Sequence, residues 1–457
     1  MIRRHSKMIV WVLILLEMVF IASCMPAGGQ DAGAPTPAQT AVEATAVSSS
    51  EPMTVVEDTI APSPGPATAT VESIASGVLV LQNGSIFTAT GGDPISDAAI
   101  LIEDGVIMAV GPEAEIEVPP GAEVIDVEGR MMLPGLIDAH THVLDQLPIE
   151  DGQISVGPRK VYLEMAMTAG LTTLRDVNSS LYSPEKIVEM RTALDTYGNT
   201  IPTIVLTGPS LMHPESPMAI FPGLGVGTVE EAKGAAQLLA ESGVDQIKIF
   251  LHMRPEAGSI VGDPPEEIAP SLSLEQVQAI VDVAHGYGLL VTAHVIDPRE
   301  AEIAIAAGVD ELAHWPSTAE ILPEDILQAL VENNISVVST FNLLPPQDGD
   351  VRRFLDAGGM LVFGTDAPGT GSVYNPYREF ERMLRTAKMD PAEILLSATA
   401  NAARSVGLGD LVGTLEVGKQ ADIIVVDGDP FADFTVMQKV VYVVKGGELV
   451  VKPSEDD

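Results

Sequence analysis

One cysteine, Cys24, stands in the whole 457-residue chain. No intramolecular disulfide is possible and no cysteine-based zinc site can exist, so any metal must rest on histidine, carboxylate or a less usual ligand. Basic residues are scarce too. Against 24 Lys and Arg stand 64 Asp and Glu, a formal net charge of -40. Such a surface repels phosphate backbones and anionic headgroups, which argues against nucleic acid as a partner. Also missing at the N-terminus is a bilayer-spanning run: the apolar stretch from Met8 to Ala22 falls short of the ~20 residues a spanning helix needs. What is present is apolar content of 46%, enough for a large core and too much for a disordered or fibrous chain.

That short run follows Arg3, Arg4 and Lys7, and reads as the apolar part of a signal segment over residues 1–23. Ile21-Ala22-Ser23-Cys24 resembles a bacterial lipobox, although Glu17 inside the run is a departure from it. The resemblance implies that Cys24 is acylated and becomes the mature N-terminus; an uncleaved anchor is the alternative. Residues 24–76 are rich in Ala, Pro and Thr, as in Pro62-Ser63-Pro64-Gly65-Pro66, and cannot bury enough apolar area to offset chain entropy. They read as a disordered tether. The expected location is the cell envelope, on the extracytoplasmic side of a bacterial membrane, touched only through the lipid anchor.

From residue 77 the texture changes to short strand-like runs separated by turn signals at Asn83-Gly84 and Asp104-Gly105. Residues 413–452 repeat it, with Gly446-Gly447 as a hairpin turn. The two pieces, 77–131 and 413–452, are expected to pair as one small antiparallel β-domain, a β-sandwich. Between them, over 132–412, apolar strand-like runs ending near His140, Asp176, Thr207, Phe250, His294, His314, Thr340 and Asp366 alternate with amphipathic helical ones. The helical runs include Pro184 to Leu194, Val229 to Ser242, Leu274 to Tyr287, Pro298 to Ala307, Pro323 to Asn333 and Pro376 to Lys388. Eight strands with intervening helices describe an α/β chain, a (β/α)8 TIM barrel with its active site at the C-terminal ends of the strands.

His140, His142, Lys248, His294, His314 and Asp366 fall at predicted strand ends. A buried parallel strand wants Val, Ile and Leu, and an unpaired ionisable group there costs several kcal/mol. A metal centre satisfies them together: neutral imidazoles bind through one nitrogen and the carboxylate supplies charge. His140 and His142, two apart on an extended segment, point to one face. A free Lys248 ammonium beside cations would be repelled, so it makes sense only deprotonated or as an anionic carbamate.

Pro134-Gly135-Leu136-Ile137-Asp138-Ala139-His140-Thr141-His142 resembles the first strand of the metal-dependent amidohydrolase superfamily. The chain around Lys248, Thr292-Ala293-His294, Glu311-Leu312-Ala313-His314, Phe363-Gly364-Thr365-Asp366 and Gly418-Lys419-Gln420-Ala421-Asp422 is similar to its later motifs, over nearly everything beyond the tether. The look-alikes are its imidazolonepropionase-related and prolidase-like branch. The resemblance implies two divalent metal ions, zinc first, with manganese or cobalt fitting the same ligands. His140, His142 and Asp366 would hold one ion and His294 and His314 the other, with Lys248 bridging as a CO2-derived carbamate. Asp366 would be the general base and then acid toward a water shared by the metals, in the hydrolysis of an amide bond of a dipeptide, N-acyl amino acid or cyclic amide.

Lower candidates for substrate contact are His213, His252, Arg175 and Asn342; for Arg175 an ion pair bracing the barrel is the competing role. A deaminase or lactonase-like hydrolase with the same metals, or a binding lipoprotein without catalysis, are the rival functions. The partner is a small molecule, and a homo-oligomer is compatible with everything above.

Overall fold

The computed structural model describes residues 77–453 apart from 145–148, 151–152, 180–185, 222, 256–267, 317–320 and 368–374. The signal segment, Cys24 and the tether lie outside the described residues. No described helix is long and apolar enough to cross a membrane.

Apolar alternation builds β1 (Val78–Ile86), β2 (Ile95–Glu103), β3 (Val106–Pro112), β4 (Glu123–Asp126) and β5 (Met131–Pro134). Asn83-Gly84 does not end a strand as expected. The pair forms an irregularity inside β1, with Asn83 at φ +60°, and the strand continues. A Cβ on Gly84 would come within 2.6 Å of the Arg130 carbonyl oxygen, so the close backbone crossing admits only glycine. Asp104-Gly105, by contrast, is a tight turn between β2 and β3 with both residues at positive φ.

The central region alternates strands and helices. The main strands, apart from four two-residue ones at Ile149–Glu150, Gln153–Ile154, Leu211–Met212 and Leu224–Gly225, are β6 (Leu136–Thr141), β7 (Leu171–Asp176), β8 (Thr203–Leu206), β9 (Gln246–Phe250), β10 (Leu290–His294), β11 (Glu311–Ala313), β12 (Ser336–Val338) and β13 (Leu361–Val362). Between them run α1 (Lys160–Thr168), α2 (Ile187–Asp195), α3 (Val229–Glu241), α4 (Leu274–Gly286), α5 (Pro298–Ala307), α6 (Glu324–Glu332) and α7 (Asp350–Asp356). Then come α8 (Tyr377–Arg385), α9 (Pro391–Ser397) and α10 (Ala400–Ser405). Capping boxes start several of them, Thr228 with Glu231 on α3 and Ser273 with Gln276 on α4. The buried stripe of α4, Val277, Ile280, Val281 and Ala284, has helical spacing. α8 stops before the expected Lys388, which turns to φ +57°.

All pairings among these strands are parallel: β6 with β7, β7 with β8, and β9 through β13 in chain order. Backbone bonds also join the ends of the two runs. Ala139 donates to the Phe363 carbonyl at 3.0 Å, Asp366 to the His140 carbonyl at 2.8 Å, and Asp245 to the Leu206 carbonyl at 2.8 Å.

At the far end β14 (Ile423–Val426), β15 (Val440–Lys445) and β16 (Glu448–Val451) join the first five strands in one sheet of order β16-β15-β14-β5-β1-β2-β3, with β4 on β1. This sheet is mixed, not antiparallel, because β1 pairs in parallel with β4 and β5. Alternation along β14 connects two cores. Ile423 and Val425 pack with Leu81, Ile100 and Ile102, whereas Ile424 and Val426 enter the large core with Leu171 and Leu174.

Candidate metal centre

Strand backbones deliver the ionisable side chains at different heights. His140 is the next-to-last residue of β6, Lys248 is the middle of β9, and His294 ends β10. Lys248 therefore sits deeper than the strand end expected for it. His314 and Asp366 lie just past β11 and β13, at φ +85° and +58°. Neither conformation is usual for a residue with a Cβ, and each costs of order 1–3 kcal/mol and persists only because its surroundings hold it. Here the Asp366 amide is tied to the His140 carbonyl, and Gly364 lets the two segments approach: a Cβ on it would sit 2.8 Å from His140 Cβ.

The result is convergence. Nε2 of His140 and of His142 face Asp366 Oδ1 at 3.5 and 3.0 Å, and the three groups' ligating atoms lie within 4.8 Å of one another. The His140 ring centroid is 4.7 Å from that of His314, which is 4.8 Å from that of His294. Phe250 lies 4.8 Å from the His294 ring, with Lys248 Nζ 5.5 Å from the Phe250 centroid.

Burial governs the electrostatics. It depresses His140 well below the ordinary imidazole value, helped by the charges of Lys248 and His314. His294 is depressed in the same way, by burial and then by His314 and Lys248. His314 falls to about 3, burial outweighing the pull of Asp366. Lys248 drops to about 7 through burial and the nearby Arg175 charge, against Asp366 and Glu311. Asp366 moves the other way: burial would raise it, but the His142 hydrogen bond and charge, with those of His314 and Lys248, bring it to about 2. Neutral imidazoles, an ionised carboxylate and an easily deprotonated amine thus share one site.

His140 Nδ1, His294 Nε2 and Lys248 Nζ are buried with no hydrogen-bond partner among the described residues. Each such orphan costs about 1–3 kcal/mol, and a bound cation removes that cost for a nitrogen that ligates it. His140, His142 and Asp366 can hold a metal ion, and the donor set fits one chemically.

The lower candidates separate. The buried His252 ring lies 5.6 Å from His294, so the structure brings it to the site. His213 Nδ1 accepts the Glu215 amide and its carbonyl accepts the Ser216 amide, committing it to a loop turn. Asn342 is held by its backbone amide, 2.9 Å from Glu379 Oε2. Arg175 does not present itself to a substrate. It is fully buried, pairs with Glu311, donates to Gln246 Oε1 at 2.7 Å and to the Ala139 carbonyl at 2.6 Å, and so braces three strands from inside. Arg175→Met should lower stability by about 3–5 kcal/mol by leaving Glu311 buried and unpaired. Thermal unfolding measures this; an unchanged Tm with a raised KM would instead make Arg175 a substrate anchor.

Sequence reasoning missed several supports. Asp138 accepts the His140 and Thr365 amides at 3.1 and 3.0 Å and the Thr365 hydroxyl at 2.6 Å, locking β6 to the Asp366 segment. Its signal was its place, two residues before His140 on an apolar strand. Thr340 Oγ1 lies 2.8 Å from His314 Nδ1, and Glu311 was visible only as an acid inside a strand.

Parallel strands wrapped by helices, with a His-x-His pair and a distant aspartate meeting at their ends, define a metal-dependent hydrolase of the α/β class. Residues 131–450 match the amidohydrolase family. The chain belongs to that family and is a hydrolase acting on carbon–nitrogen bonds. It is 26% identical over 402 residues to the imidazolonepropionase of Brevibacillus brevis, covering 78% of this chain and 91% of that one. To the imidazolonepropionase of Symbiobacterium thermophilum it is 27% identical over 431 residues, covering 82% and 97%. Among solved structures it is similar to one from Bifidobacterium longum assigned as a prolidase, with a TM-score of 0.69, 26% identity and coverage of 83% and 96%. A Xaa-Pro dipeptidase with bound methionine in its active site shares the fold at a TM-score of 0.68 and 22% identity, covering 83% and 100%.

Proposed function

We propose that this chain is a membrane-tethered, extracytoplasmic amidohydrolase with two metal ions that cleaves an amide bond in a small substrate: a dipeptide, an N-acyl amino acid or a cyclic amide. The observation that carries it is the contact of two donor groups, His140–His142–Asp366 and His294–His314, with the orphaned Lys248 amine buried beside them. Imidazolonepropionases and prolidase-like proteins among its relatives support carbon–nitrogen cleavage. We also propose that the parallel strands close as a (β/α)8 barrel over 132–412, on the support of the backbone bonds joining β13 to β6 and β8 to β9. The sheet from 77–131 and 413–452 is proposed as a β-sandwich domain, on the support of one buried cluster shared by its two ends.

Divalent cations, zinc before manganese or cobalt, supply Lewis acidity toward the substrate carbonyl and toward water when bound. The protein's own part is proton handling and alignment. Asp366, ionised at neutral pH, accepts the proton of the attacking water on Oδ2, the oxygen not turned toward His142. It then returns the proton to the amide nitrogen as the C–N bond breaks, giving a carboxylic acid and an amine, which exchange a proton to leave as carboxylate and ammonium. Neutral His140, His294 and His314 offer lone pairs, His142 stands against Asp366, and Lys248, as its carbamate, would bridge. His252 borders the His294 side and is proposed to touch the substrate there. Cys24 is proposed as the lipidated residue, with 24–76 as the tether.

Metal analysis combined with an assay panel of dipeptides, N-acyl amino acids, hydantoin-like rings and lactones tests this function. Two ions per chain and turnover on an amide, lost on chelation and restored by metal, are expected. Turnover confined to lactones or to deamination, or no metal at all, would overturn it.

A further inference from the structure

Thr340 holds an unusual place directly behind His314. Its backbone is left-handed, at φ +43°, although it is β-branched, and its Oγ1 lies 2.8 Å from His314 Nδ1. Such a conformation costs about 1–3 kcal/mol and persists only where the surroundings over-determine it. The restraint comes from α8. Glu379, wholly buried, accepts the Phe341 amide through Oε1 at 2.6 Å and the Asn342 amide through Oε2 at 2.9 Å, gripping the two residues that follow Thr340. From the other side the Thr340 amide donates to the Gly364 carbonyl at 3.1 Å, on the segment leading to Asp366. Glu379 has no part in proton handling, yet burying its carboxyl carries a desolvation cost that these fixed donors offset only in part.

We propose that Glu379 is a positioning residue for the metal centre: by clamping Phe341 and Asn342 it keeps Thr340 left-handed, so that the Thr340 hydroxyl orients His314 and leaves Nε2 as its ligating nitrogen. The second nitrogen of a ligating histidine fixes tautomer and ring angle through such a bond, here with Nδ1–H donating to Oγ1. The proposal rests on His314 being a metal ligand.

Two variants test it in the full-length protein, with zinc as the probe. Glu379→Gln puts an amide NH2 against a backbone donor, and Thr340→Val removes the hydroxyl while keeping the shape. Each should weaken zinc binding at the His294–His314 side by about 10–100-fold, and the double variant should be no worse than the weaker-binding single one, because both break one chain of contacts. Histidine-labelled 15N spectra of the zinc-free protein should show a changed His314 tautomer in both variants. If Glu379→Gln fails to fold, Thr340→Val carries the test alone. A wild-type protein that binds no zinc refutes the metal centre itself. A wild type that binds two ions, with variants that keep both affinity and His314 spectrum, overturns the positioning role alone, even if Tm falls.

Discussion

Replacing Asp366 by Asn should lower kcat by about two to four orders of magnitude, the usual worth of a positioned general acid–base group, while metal content stays near that of the wild type. The amide keeps the carboxylate's shape, so its oxygen can still face the His140 and His142 nitrogens that stand 3.5 and 3.0 Å from Oδ1. What it cannot do is take a proton. Asp366 is held at about 2 chiefly because the bond to and charge of His142 overcome its burial, so it is ionised throughout the neutral range. Loss of its negative charge also weakens the hold on any cation there, which predicts a smaller, secondary fall in affinity. Single-turnover rates on metal-saturated protein separate the two effects. Full activity in Asp366→Asn would remove Asp366 from the chemistry and leave it a ligand only.

Lys248→Ala is expected to have the second large effect, on metal stoichiometry before turnover. Lys248 is in the middle of β9 and fully buried, its Nζ without a hydrogen-bond partner among the described residues. As a plain ammonium it would be a liability; drawn down to about 7 by burial and Arg175, it is half deprotonated near neutrality and able to react with CO2. Without it, bound metal should fall from two ions per chain to one or none, and kcat/KM by roughly 100-fold or more, equivalent to about 2.7 kcal/mol of transition-state stabilisation. The metal-free protein should respond with the opposite sign: Lys248→Met removes a buried, unsatisfied amine and should raise its Tm. One tightly bound ion per chain in the wild type, with Lys248→Ala fully active, would end the two-metal mechanism and favour a mononuclear, deaminase-like one.

Much of this molecule was legible in its sequence, because the relevant signals are local. Strand and helix periodicities marked the ends of β6 through β13 and the helices α2 to α6 and α8, but not α1 or α7, to within a few residues, since period 2 and period 3.6 are properties of the backbone itself. His140 and His142 stood out as candidates through their spacing inside the Pro134–His142 motif, and His294, His314 and Asp366 through being ionisable at the ends of apolar runs. Other features depended on partners far along the chain. Arg175 became a brace because Glu311 lies 136 residues away on a neighbouring part of the core, and Asn83-Gly84 became an irregularity because β1 had partners on both sides to keep it extended. Glu379 is one of two acids on α8; only the fold shows it turned inward against Phe341 and Asn342. Residue type and spacing determine which groups can bind metal or carry a proton. Which of them are dehydrated, and which neighbour then sets their charge, is decided when segments remote in sequence exclude water together, and that happens only in the tertiary structure.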